Sequence, residues 1–252
     1  TLTVTNTING CSATDQVVVT SDKTNPTADA GLDKTITCTN PTTNIGTASV
    51  LNRTYSWSPG IGLSSTTVAQ PTASSGGTYT LTVTNTINGC SATDQVVVTS
   101  DKANPTADAG LDKTITCTSP TTTIGTTSVA NRTYSWSPGT GLSSTSVAQP
   151  TASSSGTYTL TVTNTINGCT STDQVIVSAD LTSPTADAGL DKIITCTSPS
   201  TTIGTASVAN RTYSWSPGTS LSSTTVAQPT ASSGGTYTLT VTNTINGCTS
   251  SD

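Results

Sequence analysis

A strict repeat of 79 residues constrains this chain more than any other feature of its sequence. Two cysteine series show the repeat: Cys11, Cys90, Cys169 and Cys248 form one, and Cys38, Cys117 and Cys196 form the other. A fixed period of this kind indicates a tandem array in which one structural unit recurs. The chain is therefore interpreted as copies of one small domain and not as a single large domain.

The repeat divides the chain into four segments. Residues 1–24 are the C-terminal strands of a preceding repeat, 25–103 and 104–182 are whole repeats, and 183–252 is a repeat lacking its last strand. The linkers contain Pro and carry no apolar periodicity. A unit of this size buries a modest share of its surface, so a covalent crosslink would help to stabilise it.

Alternating apolar and polar residues predict an all-β fold. The segment GTYTLTVTN at 77–85 alternates in this way and is followed by an Asn-Gly pair, a strong hairpin signal. At the N-terminus the same pattern predicts a half-buried strand with Leu2 and Val4 on one face, and a returning strand at 16–20. Six or seven short strands per repeat, without a helix-period segment, predict tandem antiparallel β-sandwich domains.

Aromatic side chains mark the predicted core of each repeat. The motif NRTYSWSP places one Tyr and the Trp on the same face of a strand, and a second Tyr lies at the start of the long strand. The two whole repeats differ by small exchanges such as Asn40 against Ser119, as expected for a solvent face. The predicted core aromatics are Tyr55, Trp57, Tyr79, Tyr134, Trp136, Tyr158, Tyr213, Trp215 and Tyr237.

Seven cysteines at strict spacing in a β-rich chain predict structural disulfides and a location outside the cytosol. Metal binding would need close Cys pairs or a Cys/His cluster, and the chain contains no His. Pairing within repeats joins Cys38 to Cys90, Cys117 to Cys169 and Cys196 to Cys248, with the partner of Cys11 upstream of the chain. Pairing across the linkers joins Cys11 to Cys38, Cys90 to Cys117 and Cys169 to Cys196, and leaves Cys248 over. We favour the first pairing because it closes loops of about 50 residues, which stabilises by about 4 kcal/mol in the chain-entropy model and makes each repeat self-sufficient.

Aspartates cluster around each linker and have two interpretations. They are Asp22, Asp29 and Asp33, Asp101, Asp108 and Asp112, and Asp180, Asp187 and Asp191. Their carboxylates could bind Ca²⁺ and stiffen the linkers, since this cation prefers oxygen ligands. The alternative is that they form turns and solubilise the chain. No cofactor and no metal is expected, because the chain has no dense Asp-x-Asp-x-Asp run.

The composition argues against several classes of function. Without His the chain has no Ser-His-Asp or Cys-His arrangement, so no enzymatic activity is expected. Charged residues make up 8% of the chain and the net charge is −5, so no basic patch is available for nucleic acid. No apolar run is long enough to span a membrane. The expected partners are neighbouring repeats, other copies in a filament and an unknown surface ligand.

The motifs NPTADAGLDKTITC, TYSWSP, GTYTLTVTN and NGCSATDQVVV recur through the chain. This series resembles the PKD-like/Ig-like tandem repeats of Bacteroidota cell-surface adhesins, such as SprB-like gliding-motility adhesins that are exported by type IX secretion. TYSWSPG stands where typical PKD domains have WDFGDG, so the resemblance is to their PKD-like relatives. It implies the structural repeat region of an extracellular filament or adhesin stalk, projecting from the cell surface for adhesion or gliding. The alternatives are a module that binds a glycan or protein, and a self-assembling surface fibre.

Overall fold

The computed structural model describes residues 1–252 and confirms the all-β fold class, because the chain contains strands and no helix. The N-terminal hairpin consists of β1 (Leu2–Thr5) and β2 (Ser12–Asp15). The first repeat contains β3 (Lys34–Thr37), β4 (Thr43–Asn44), β5 (Arg53–Ser58), β6 (Thr72–Ala73), β7 (Gly77–Asn85) and β8 (Ser91–Asp101). The second contains β9 (Lys113–Thr116), β10 (Thr122–Thr123), β11 (Arg132–Ser137), β12 (Thr151–Ala152), β13 (Gly156–Asn164) and β14 (Thr170–Asp180). The third contains β15 (Thr201–Thr202), β16 (Arg211–Ser216), β17 (Thr230–Ala231), β18 (Thr238–Asn243) and β19 (Thr249–Ser251).

The chain separates into two compact units. The first comprises Thr1–Ala103, and the second comprises Asn104–Asp252 and so contains the second and third repeats. The boundaries of the four segments stay predictions.

Each whole repeat is a sandwich of a four-stranded and a two-stranded sheet. In the first repeat the strand orders are β3-β8-β7-β5 and β4-β6, and in the second they are β11-β13-β14-β9 and β10-β12. One pairing in each repeat is parallel, and the others are antiparallel: β3 runs parallel to the end of β8, from Val98 to Asp101, and β9 runs parallel to the end of β14. These parallel pairs were not predicted. The first forms because the eleven-residue β8 extends beyond its antiparallel partner β7, which has nine residues.

The core lies between the two sheets of each repeat. On β7 the inward-facing Tyr79, Leu81 and Val83 are at most 2% exposed, while the intervening Thr residues point outward, because successive side chains of a strand face opposite sides. The indole nitrogen of Trp57 donates a hydrogen bond to the carbonyl oxygen of Val68 at 2.9 Å, which satisfies its one polar group. The three Trp residues are 3% exposed, Tyr79 and Tyr158 are 1% exposed, and Tyr55, Tyr134, Tyr213 and Tyr237 lie half-buried against the cores.

The third repeat has an incomplete larger sheet. Its three strands are in the order β16-β18-β19, and β19 comprises Thr249–Ser251. Residues 192–195, which are equivalent to β9, form no strand. Ile203 and Tyr237 are only partly buried, whereas their equivalents Ile124 and Tyr158 are 1% exposed. A groove beside these side chains is lined by Ile203, Trp215 and Tyr237 among others.

The N-terminal segment differs from its prediction. Leu2 and Val4 are 66% and 61% exposed, so the first strand is not half-buried, and residues 16–20 form no returning strand. The sequence here is the one that forms β8, but a strand of this kind needs an adjacent β3 and a sandwich core to cover its apolar face. The hairpin β1–β2 supplies neither, since all of its residues are exposed.

Candidate functional site

A disulfide joins the second and third repeats through Cys117 and Cys248, whose Cα atoms lie 5.0 Å apart. Cys117 follows β9, and Cys248 closes the turn between β18 and β19. The two residues are 131 positions apart in the sequence, so the bond stabilises by about 5 kcal/mol in the chain-entropy model. We call the residues around this bond the joint: Cys117, Thr118, Asp180, Leu181, Thr182, Asn246, Gly247 and Cys248.

This bond contradicts the predicted pairing within repeats. Cys117 is not bonded to Cys169, nor Cys196 to Cys248, and the free thiol of Cys90 excludes the Cys38–Cys90 bond as well. Cys11 is also free, and the pairing across the linkers is excluded for the same reason. Cys38 and Cys169 are disulfide-bonded, and they occupy the same two positions of the repeat as Cys117 and Cys248.

The sheet topology explains why the pairing within a repeat fails. Thr116 pairs with Asp180 at the end of β14, so Cys117 lies beside that end, whereas Cys169 immediately precedes the first residue of β14. Eleven residues of strand span roughly 35 Å. A disulfide needs Cα atoms within about 7 Å, so the two cysteines of one repeat lie too far apart to bond. Cys248, which follows the hairpin turn of the third repeat, instead bonds to Cys117 at the end of β9 in the second repeat.

Asn246 is the polar centre of the joint and is 0% exposed. Its side-chain nitrogen donates to a carboxylate oxygen of Asp180 at 2.8 Å and to the carbonyl oxygen of Thr182 at 3.0 Å. Its side-chain oxygen accepts from the amide of Cys248 at 2.9 Å, and its main-chain oxygen accepts from the amide of Cys117 at 3.0 Å. A buried amide needs such partners. The hairpin of the third repeat is thereby held to the linker and to the second repeat at once.

The same hairpin occurs four times, at three levels of burial, so its local structure can be separated from its docking. Its asparagine accepts a hydrogen bond from the cysteine amide two residues later in each copy, at 3.1, 3.0, 3.0 and 2.9 Å, so the turn itself is local. Asn9 is exposed, Asn88 is half-buried and donates to the carbonyl oxygen of Thr24 at 3.1 Å, and Asn167 and Asn246 are fully buried. Burial therefore comes from the linker and from the preceding repeat.

Gly247 allows the hairpin to approach the second repeat closely. Its φ is +68°, and a Cβ built on it would overlap the methyl group of Thr118. Gly89 has a similar φ of +74°, but a Cβ there would meet nothing within 4 Å. Comparing Gly247 with Gly89 separates the effect of close approach from the effect of backbone strain, because both glycines have the positive φ that strains a residue with a side chain.

We expect Gly247→Ala to lower the fraction of the Cys117–Cys248 disulfide in a glutathione redox buffer at least fivefold. Gly89→Ala is the matched control and should leave that fraction unchanged, because only the added methyl at 247 separates the two halves of the joint. The disulfide is quantified by peptide mapping under non-reducing conditions. Equal effects of the two substitutions would show that close approach at 247 is unimportant.

The carboxylates near the linkers accept hydrogen bonds from backbone amides. Asp29 accepts from Gly31 at 2.9 Å and Asp33 from Val97 at 2.8 Å, and the same bonds recur in the second repeat. Turn formation therefore accounts for Asp29, and Asp33 fastens the last strand. No group of three or more carboxylates or thiols lies close enough together to hold a metal ion. Calcium binding at the linkers stays a prediction.

Hydrogen bonds from nearby residues make Asp22 more acidic. Hydrogen bonds from Thr24, first from its backbone amide and then from its side chain, and from the side chain of Asn88 lower the pKa of Asp22 below 3.8. A lowered pKa in the folded state means that the ionised form stabilises the fold above about pH 4. This contribution is lost as the pH falls through the folded-state pKa.

An NMR titration of the Asn88 side-chain amide should therefore give a midpoint below 3.8, the ordinary value for Asp22. In Asp22→Asn this amide should no longer titrate, because the carboxylate that accepts its hydrogen bond is gone. A midpoint at or above 3.8 for Asn88 would contradict the assignment.

Each repeat also has a shallow groove beside its half-buried tyrosine. In the first repeat it is lined by Thr27, Asp29, Arg53 and Tyr55 among others, and the volumes in the three repeats are ≈ 170, 260 and 160 Å³. Small-molecule sites usually have about 300–1,000 Å³. The Tyr55 hydroxyl accepts from the amide of Val50 at 2.7 Å, and Arg53 donates to the preceding carbonyl oxygen. These polar groups are already engaged within the repeat.

The structure contains no helix with the length and apolar character that a membrane span requires.

Comparisons with known proteins leave the family open. No protein-family model and no curated protein sequence matches it. Among solved structures it is similar to extracellular domains 3–5 of Drosophila OTK, with 9% identity over 89% of this chain and 93% of that chain and a TM-score of 0.33. It is also similar to cadherin domains 1–4 of protocadherin gamma B7, with 12% identity over 90% of this chain and 74% of that chain and a TM-score of 0.34. Three N-terminal domains of the bacteriophage RB49 outer capsid protein Hoc are similar as well, with 14% identity over 84% of this chain and 91% of that chain and a TM-score of 0.31.

Proposed function

We propose that this chain is a structural repeat region of an extracellular filament or adhesin stalk. The observation that carries the proposal is the Cys117–Cys248 disulfide, which links two repeats instead of stabilising one. Together with the peptide linker, it gives consecutive repeats two covalent connections and limits their separation. Disulfides persist in oxidising surroundings, which supports a location outside the cytosol.

Repeated through an array, this pairing would provide a short covalent path for mechanical load. The covalent path from Cys90 to Cys248 follows the chain for 27 positions to Cys117 and then crosses the disulfide. Along the chain alone, Cys248 lies two periods beyond Cys90. At ~3.4 Å per residue, 27 positions reach about 90 Å, whereas the 158 positions of two periods would reach about 540 Å. Such a stalk would keep its length under tension because the disulfides bypass the sandwich cores.

The surface role that we assign is adhesion or gliding, as the resemblance to Bacteroidota adhesin repeats implies. In this role the repeats hold a binding tip away from the cell and need no catalytic residues of their own. The small grooves, whose polar groups are already hydrogen-bonded, favour this role over that of a ligand-binding module. The ligand of the tip lies outside what these repeats encode.

Immunogold electron microscopy of intact cells that produce the protein tests this proposal, with antibody raised against the recombinant chain. We expect gold particles in rows along thin filaments that leave the cell surface. Antibody that has been absorbed with the purified chain is the control and should give no rows. Label confined to the medium, or scattered without filaments, would contradict the stalk and favour the binding module.

A further inference from the structure

The buried asparagine of the joint is followed directly by a glycine, as Asn246 and Gly247. In an Asn-Gly pair the backbone nitrogen of the glycine can attack the side-chain carbonyl carbon of the asparagine, because glycine has no side chain to obstruct the approach. The attack closes a succinimide ring, and water then opens the ring to aspartate or isoaspartate. The centre of the joint is therefore also a place where the chain can modify itself.

The closed joint engages each atom that this reaction uses. The backbone nitrogen of Gly247, which is the attacking group, donates a hydrogen bond to the main-chain oxygen of Asn243 at 2.8 Å. The side-chain oxygen of Asn246 accepts from the amide of Cys248 at 2.9 Å. Its side-chain nitrogen, which would leave, donates to Asp180 at 2.8 Å. Asn246 is 0% exposed, so the closed joint also keeps water from the reacting carbon.

The disulfide that closes the joint can be reached from one side. Cys117 is exposed, whereas Cys248 is 1% exposed. A thiolate in solution can therefore attack the Cys117 sulfur, since thiol–disulfide exchange requires access to the sulfur that is attacked. The attack forms a mixed disulfide with Cys117 and releases Cys248 as a thiolate. The hairpin is then held by noncovalent contacts alone, so it opens more often.

Conversion of Asn246 would remove the donor on which the joint depends. Its side-chain nitrogen lies 2.8 Å from a carboxylate oxygen of Asp180 and 3.0 Å from the main-chain oxygen of Thr182. In the product an oxygen replaces this nitrogen, so an ionised carboxylate would face a second carboxylate and a carbonyl oxygen. Two like charges at this distance repel, and burying a charge without a partner destabilises. A converted hairpin therefore cannot dock again in the same geometry.

We propose that Asn246 is a deamidation site, which the joint protects while it is closed and which holds the joint open after it has reacted. The Gly247 nitrogen forms a bond to the side-chain carbon of Asn246 and loses its proton, while the bond from that carbon to the side-chain nitrogen breaks and ammonia leaves. Water then adds across one of the two carbon–nitrogen bonds of the succinimide, so no oxidant or reductant takes part. The proposal deepens the proposed function, on which it rests for the role of the joint, by giving that joint a permanently open state.

Peptide mapping by mass spectrometry tests the protection, during incubation of the whole chain in mildly alkaline buffer with and without reductant. We expect Asn246 to deamidate at least about tenfold faster in the reduced chain, because opening a docked and crosslinked segment costs more free energy than opening an undocked one. The Cys117→Ser/Cys248→Ser variant should react at this faster rate without reductant. Asn88 is the matched control, whose rate should not change with reductant because Cys90 is free in its hairpin. Equal rates at Asn246 in the oxidised and reduced chains would overturn the proposal.

Reoxidation of the partly deamidated chain in a glutathione redox buffer tests the open state. We expect the converted form of residue 246 in peptides whose Cys248 is unbonded, and intact Asn246 in the peptide that is crosslinked to Cys117. The Asn246→Asp variant should lower the crosslinked fraction at least about tenfold, since a buried charged group that loses its partner destabilises more than a neutral one. Asn88→Asp should leave that fraction unchanged. Equal deamidation in the crosslinked and unbonded peptides would overturn the proposal and would leave the stalk proposal to the immunogold result.

Discussion

Pulling the oxidised chain from its two ends should release far less length than pulling the reduced chain. The Cys117–Cys248 disulfide bypasses 131 positions, so reduction should add at least about 450 Å of extension at ~3.4 Å per residue. The physical reason is that load reaching Cys117 passes directly to Cys248 and never acts across the sandwich strands between them. Single-molecule force spectroscopy with and without reductant measures this difference.

A matched control separates the disulfide cysteines from the free thiols of the chain. The variant Cys90→Ser/Cys196→Ser removes two thiols that are free in the single chain, and it should show the same limited extension as the wild type when oxidised. The fully reduced chain should unfold in discrete steps as the sandwiches open one by one. Equal total extension before and after reduction would mean that the joint does not carry the load.

Replacing Asn246 with Ala should lower the stability of the unit Asn104–Asp252 by about 2–4 kcal/mol. The substitution leaves the half-buried Asp180 carboxylate, the Thr182 carbonyl and the buried Cys248 amide without their shared partner. A buried polar group that loses its partner destabilises by about 1–3 kcal/mol, more for a charged one. For a unit of this size we expect the melting temperature to fall by roughly 4–12 °C, measured by calorimetry on the oxidised chain.

The chain contains its own graded controls for this substitution. Asn88→Ala should have a smaller effect on the unit Thr1–Ala103, because Asn88 is only half-buried. Asn9→Ala should change stability by less than about 0.5 kcal/mol, since Asn9 is exposed in a hairpin that lacks a core. The expected loss of stability decreases from Asn246 to Asn88 to Asn9, because fewer elements pack on the hairpin at each step. Similar effects at all three sites would show that the local turn, and not docking, accounts for the loss.

Local pattern determined most of the fold of a single repeat. The alternation in residues 77–85 specifies a strand with one apolar face, and β7 has these bounds. The Asn-Gly pair specifies the hairpin even where nothing packs on it, as the Asn9 contact shows. These features are predictable because they depend on neighbours within a few residues in the sequence.

The fate of an apolar strand depended on its partners. Residues 16–20 and 95–99 are the same sequence, QVVVT, yet only the second lies in a strand. β-strand structure needs a neighbouring strand for its hydrogen bonds and a core for its apolar face. The sequence pattern indicates a capacity to form the strand, and the tertiary structure decides whether the partners are present.

The period of 79, the sandwich repeats and the use of cysteine for crosslinking were determined by the sequence. Which cysteines meet was decided by the tertiary structure alone. The pairing of β14 with β9 places Cys117 and Cys169 at opposite ends of one long strand, and the packing of the third repeat on the second brings Cys248 to Cys117. Spacing along the chain contains neither the direction of a strand pair nor the orientation of one repeat on the next, and disulfide bonding requires both.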